Sequence, residues 1–372
     1  MAATMRLTNA VGCPAGWTVG FESDGRELLI IAIKATYDIP TTEAQAPRLS
    51  LEQVPLVQAD EFTGKPGESA VRCETDYAHR KLACDVLLVG SAYAPEGRPA
   101  TRVPVELAVG PMVKRFQVVG NRFWQKTVLG ISSTEPEPFL VMPFSYDVAF
   151  GGTDLTRETE GEIRTFLTNP VGKGYWHYTD YIDGQPLPNT ERVNEQVDRP
   201  DGKFAPMAFG AIGRNWSPRL DYVGTYDKHW IENDAPFWPQ DFDHRYFQAA
   251  PPSQVIPYPR GGEEVSLKNL TPTSVCRFRL PVRKMPVTFV MHSGTETTVT
   301  AEVDTVFIEP DAARFCLVWR ANLRLERSIF DVKETIVGDL SADRQRAKRF
   351  PGKPYYRNLA ELVAASQRRR GK

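Results

Sequence analysis

Twenty-seven glycines and 30 prolines run the length of this 372-residue chain instead of gathering in one linker. Residues that break helices and make turns, spaced this way, cut a chain into short segments. Many of those segments are rich in β-branched and aromatic residues, the side chains that suit a pleated, half-buried surface. A mainly β protein is therefore predicted, built of antiparallel sheets packed in a sandwich-like way, with a loop-rich middle and a short C-terminal helix.

Four regions follow from the pattern. In residues 1–140, "WTVGFE", a turn at "SDG" and "RELLIIAIKATYDI" read as a hairpin. "KLACDVLLVGSAY", "RVPVELAV" and "KRFQVVG" then read as an antiparallel meander with short loops. Residues 141–262 mix aromatic, Pro and Gly residues with Asp and Asn, which predicts loops and short helices; loops that long have a binding or a covering role. Strand signals return in 263–330 with "SVCRFRLPV", "PVTFVMHS", "TVTAEVDTVFIEP" and "ARFCLVWRANL", where "EPDA" reads as a hairpin turn. Residues 331–372 are expected to form a basic helical tail, with Leu359, Leu362, Val363 and Ser366 on one face and Arg368, Arg369 and Arg370 at its end.

Charge and composition exclude several classes. Lys plus Arg total 45 against 46 Asp plus Glu, so the global field gives no reason to expect nucleic-acid binding. The N-terminus lacks the apolar stretch of a secretory signal, and the most apolar run, "LLIIAI", is far shorter than the roughly 20 residues of a membrane helix. Cys13, Cys73, Cys84, Cys276 and Cys316 are odd in number and contain no C-x-x-C pair. Reduced thiols in a soluble cytoplasmic protein are the expectation.

No familiar constellation of chemistry is present. His79, His177, His229, His244 and His292 form no H-x-x-x-H or Cys/His array, so no metal site is assigned. "NPVGKGYW" lacks the spacing and hydroxyl of a phosphate-binding loop and reads as a turn, and no G-x-S-x-G elbow occurs. Cys276 alternates with Phe278 and Leu280, which places it on the apolar face of a strand. In "GTYDKHW", Thr225 is read as a helix cap with Asp227 in the first turn, and Tyr226 and Trp230 share a face. In "WPQDFDHRYF", Asp241 or Asp243 is read as a cap, Phe242 stacks on Tyr246, and Asp241 pairs with Arg245. No catalytic or cofactor-binding residue is assigned, and no cofactor is expected.

The order of longer motifs is more specific than any one of them. "MPFSYDVAFGG", "NPVGKGY", "LPN", "FGAIGRNWSPR", "GTYDKHW", "PFWPQDFDHRYFQAAP" and "GGEEV" occur in that sequence, followed by "LPVRKMP" and "VDTVFIEPD". From about Trp17 to Trp319 the chain resembles the bacterial family known as domain of unknown function 2169; "NRFW" and the basic tail match more loosely. The resemblance implies an adaptor or chaperone of type VI secretion that binds a toxic effector in the cytoplasm and helps load it, with the spike-tip protein as a second candidate partner. It carries over no catalytic residue. Trp216, Arg219, Tyr226, Trp230 and Trp238 are the candidate partner-binding residues, four aromatic anchors and one polar clamp. Two other readings stand beside it: a glycan hydrolase using Asp241 with Asp154 or Glu263, and a structural component of the secretion apparatus.

Overall fold

A computed structural model describes residues 5–340, together with Gln345 and Val363. The protein is mainly β, in several mostly antiparallel sheets, with one short α-helix at Lys228–Asn233 among the described residues. The helical stripe expected over Leu359–Ser366 lies outside the described residues apart from Val363. The start of the supposed tail is not helical: Val332–Val337 is a strand. Its Val332, Ile336 and Val337 are buried, and that burial decides the conformation.

Two compact units are present. The smaller comprises residues 1–12, 285–300 and 330–372. Its sheet runs Arg6–Asn9, Val332–Val337, Pro286–Met291, Glu296–Thr300, with the first pair parallel. Met5, Val287, Phe289 and Val337 are buried in that unit.

The larger unit comprises residues 13–284 and 301–329. Its main sheet runs Val255–Ile256, Cys84–Leu88, Glu302–Glu309, Arg314–Arg324, Glu27–Asp38, Ala15–Phe21, and Arg48–Leu49 pairs with the far end of Glu27–Asp38. Strands from residues 1–140 and from residues 263–330 thus share one sheet. Every residue from Leu28 to Tyr37 is buried, so this strand is covered on both faces and has no need of a polar alternation. The expected hairpin is present, Phe21 opposite Glu27, and so is the second, Glu309 opposite Arg314 around Pro310–Ala312.

The expected meander is not formed. Only Arg102–Val109 and Met112–Val119 pair as a hairpin, in a five-stranded sheet ordered Thr190–Glu191, Met112–Val119, Arg102–Val109, Glu264–Lys268, Val275–Arg279. Cys84–Leu88 joins the main sheet, where it lies parallel to Glu302–Glu309, and Gly90–Tyr93 pairs with Val141–Phe144. "TVTAEVDTVFIEP" is likewise two strands that belong to different sheets. The five-stranded and main sheets meet where the Phe278 ring stacks on Phe315, centroids 4.9 Å apart.

Buried ions tie the main sheet to its coverings. Lys34 meets Asp76 at 3.0 Å and Lys81 meets Asp85 at 2.7 Å. Arg320 pairs with Asp304 and also donates to the Asp76 carbonyl at 2.7 Å. Asp85, fully enclosed, additionally accepts from Gln248 Nε2 and the Ala249 N–H, so a charge without water keeps its partners.

Candidate functional site

The motif residues of the middle region brace one another. Phe150–Gly151 lies parallel to Lys173–Gly174, joining "VAFGG" to "NPVGKGY". Buried Asn169 donates to the carbonyls of Tyr146 (2.8 Å) and Phe150 (3.1 Å). Gly151 has φ of 150°, and a Cβ there would sit 2.2 Å from the Asn169 carbonyl oxygen, so no side chain fits at this crossing. Asp154, also buried, accepts from the N–H groups of Thr156, His177 and Tyr178 at 2.8–2.9 Å. Burial pushes its carboxyl up, but these donors outweigh burial and hold it below the usual carboxylate range.

Of the three aspartates of the aromatic corner, two close their own turns and the third ties two segments together. Asp227 itself caps Lys228–Asn233, accepting from the Trp230 N–H at 3.0 Å. Thr225, expected as that cap, instead binds Asp241 through its N–H (2.9 Å) and Oγ1 (2.8 Å). Asp243 caps the 3-10 turn His244–Phe247 and holds Arg245, which leaves Asp241 free of the expected Arg245 pairing: a side chain that closes its own turn reaches the N–H two residues on first. Phe242 does meet Tyr246, centroids 5.8 Å apart. Asp243→Ala should lower stability by about 0.5–2 kcal/mol in chemical denaturation, and Asp241→Ala should lower the denaturation midpoint by removing both bonds to Thr225. Glu263, the third carboxylate considered for catalysis, accepts from the N–H groups of Arg260 and Gly261.

His79 was not singled out by the sequence, yet the corner is built around it. Its ring lies 4.5 Å from Trp238, 5.5 Å from Phe247 and 5.7 Å from His244. Burial, then the neighbouring His244, push its imidazole down to about 4 from the ordinary 6.5. The unfolded chain therefore takes up this proton at a higher pH than the folded protein. Stability is fully present above about 6.5 and falls as pH drops toward 4, by about 3 kcal/mol in total. Urea titrations over that range should show the fall in the wild type and a shallower one in His79→Leu.

Of the five candidate partner-binding residues, the structure encloses two. Trp216 is 3% exposed, edge-on to Tyr146 at 5.5 Å and lying over Gly213. Arg219 is 1% exposed; it pairs with Glu74 and donates to the Ile212 and Tyr246 carbonyls. Neither presents its side chain to a partner, because each fills the space between distant segments. Trp238 is half-buried against His79 and Phe242. Tyr226 is exposed and meets half-buried Trp230 edge-on at 4.7 Å, while the Trp230 indole N–H donates to the Phe237 carbonyl at 2.8 Å. These two rings form a held aromatic platform on the short helix and the residue pair before it.

A groove of about 780 Å³ lies along the five-stranded sheet, between residues 277–279 of the strand Val275–Arg279 and the loop of residues 43–47, with Pro281 and Val282 at one end. The alternation of Cys276, Phe278 and Leu280 marked this strand in the sequence. Its place at the sheet edge had no sequence signal, because strand order is set by pairing with residues far away.

Buried Lys114 is a further group that sequence reading passed over. Its ammonium donates to the Ala208 carbonyl and Gln254 Oε1, each at 2.6 Å. Gln254 in turn donates to the carbonyls of Val86 and Phe209. This hub joins both large sheets to the middle region. With no carboxylate against it, burial pushes the Lys114 ammonium down to about 7.

Among the described residues no group of three or more His, Cys, Asp or Glu is placed to hold a metal, and no helix is long and apolar enough to cross a membrane. No curated protein and no solved structure matches the chain. A family model does match it over residues 24–320, which takes in the strand Glu27–Asp38, the braced middle region and most of the strand Arg314–Arg324. The chain belongs to that family, described as an uncharacterized protein conserved in bacteria, DUF2169.

Proposed function

We propose that the protein is a cytoplasmic adaptor of type VI secretion that binds a cognate effector stoichiometrically and helps load it, with the spike-tip protein as a second partner. The observation that carries this reading is the division of labour in the middle region. Its acids and Arg219 are engaged in turns and buried pairs, while the Tyr226–Trp230 platform stands outside them. Tyr and Trp present a large rigid contact area at small entropic cost, which makes an exposed, held pair of them suited to anchoring a partner chain. The ordered motif series adds the secretion context.

Co-expression with a toxin encoded beside the gene, followed by affinity capture, tests it. A complex of defined stoichiometry is the expected result. Tyr226→Ala should weaken capture by about tenfold, in keeping with loss of one anchor, at an unchanged melting temperature. Failure to capture the effector, with delivery intact after gene deletion, would overturn the reading.

A further inference from the structure

We infer that the groove beside Val275–Arg279 takes an extended, acidic segment of the partner, which adds as a new strand to the edge of the five-stranded sheet. The assignment rests on the adaptor reading and names the surface and the recognition chemistry.

Backbone geometry supplies the first argument. Val275–Arg279 is a terminal strand, paired on one side only, with Glu264–Lys268. The Asn269 N–H donates to the Ser274 carbonyl, and the Leu280 N–H donates to the Glu263 carbonyl. In an antiparallel ladder hydrogen-bonded and non-hydrogen-bonded residues alternate. Ser274, Cys276, Phe278 and Leu280 therefore face the neighbouring strand. Val275, Arg277 and Arg279 turn their N–H and C=O groups to the open edge, where they have no backbone partner among the described residues. An unpaired edge of this kind is a template for strand addition. Residues 277–279 of the edge strand and residues 280–282 after it line the groove, a run that an extended segment of about six residues at roughly 3.4 Å each can follow.

Side-chain charge supplies the occupant. The same three residues expose their side chains on one face, so Arg277 and Arg279 stand two apart, in register with alternate residues of an incoming strand. Arg277 has Glu43 at 3.4 Å, and Arg279 has Glu264 at 3.9 Å and the Gly262 carbonyl at 3.1 Å. More than half of each of these four side chains is exposed, so the two ion pairs are weak and exchange at small cost for the carboxylates of a ligand. A second copy of this chain is a poor occupant: antiparallel pairing about Arg277 would set that arginine against its twin. The fitting strand carries Glu or Asp at alternate positions, with apolar residues between them to meet exposed Val282, which lines the groove.

A fluorescein-labelled peptide of alternating glutamate and valine, and its lysine–valine counterpart, are the probes for the full-length protein. Fluorescence anisotropy should show salt-sensitive binding of the acidic peptide and none of the basic one. The double variant Arg277→Glu/Arg279→Glu should weaken the acidic peptide by about tenfold or more and admit the basic one. Arg277→Pro removes an edge N–H that makes no ladder bond, so it should abolish binding with the circular-dichroism melt retained. Absence of acidic-peptide binding, or equal binding by wild type and both variants, would overturn the assignment. Effector capture separates the two levels: wild type and double variant capturing the effector equally would sink the groove and leave the adaptor standing. Peptide binding without effector capture would sink the adaptor and leave the groove.

Discussion

Replacing Arg219 by leucine should lower the unfolding free energy by about 3–5 kcal/mol, the range expected when one partner of a buried ion pair is removed. Arg219 is almost wholly enclosed; besides pairing with Glu74 it satisfies the carbonyls of Ile212 and Tyr246. The substitution leaves Glu74 buried with Arg214 alone at 3.4 Å, and strands both carbonyls without this donor. Adding Glu74→Leu should recover part of the loss, since two apolar side chains cost less than one uncompensated charge. Guanidinium denaturation of the single and double variants measures both. A single variant within about 1 kcal/mol of wild type would mean that the pair contributes little to the frame.

Stability relative to Lys114→Met should rise with pH between about 7 and 10.5. The sign follows from proton counting: in that interval the unfolded chain holds the lysine proton and the folded protein has released it. Raising the pH therefore favours the folded state by up to about 1.4 kcal/mol per unit. Below pH 7 both states are protonated and the difference levels off. Comparing the two proteins at each pH removes the background from tyrosines and thiols that also titrate in alkali. A difference independent of pH would show that the Ala208 carbonyl and Gln254 Oε1 hold the ammonium charged.

Local signals carried the reading as far as local physics reaches. The hairpins around "SDG" and "EPDA" were legible because turn residues and their flanking β-branched runs are adjacent in sequence. Caps were legible as a class, but not by residue. Thr225, Asp227, Asp241 and Asp243 compete for the same N–H groups, and only packing decides that Asp241 crosses to Thr225 while Asp227 and Asp243 close their own turns. Cys84–Leu88 was assigned to the wrong neighbours because an apolar strand looks the same whether its partner lies ten residues away or at Glu302–Glu309. Arg219 and Trp216 stood as candidate anchors, with buried packing as the alternative, for a related reason. Their residue types suit both an interface and a core, and the Glu74 and Tyr146 that enclose them are remote in sequence.

The pairing of Glu27–Asp38 with Arg314–Arg324 also has a consequence in time. During synthesis the first of these strands leaves the ribosome long before its partner exists. At about 5–20 residues per second, the wait for Arg324 is roughly a quarter of a minute to a minute. Ala15–Phe21 can cover one edge of the early strand meanwhile, but the other edge stays open along Leu28–Asp38. The main sheet of this protein is thus closed only after most of the chain has been made, and a nascent chain of 300 residues carries an apolar strand edge that general chaperones are suited to shield.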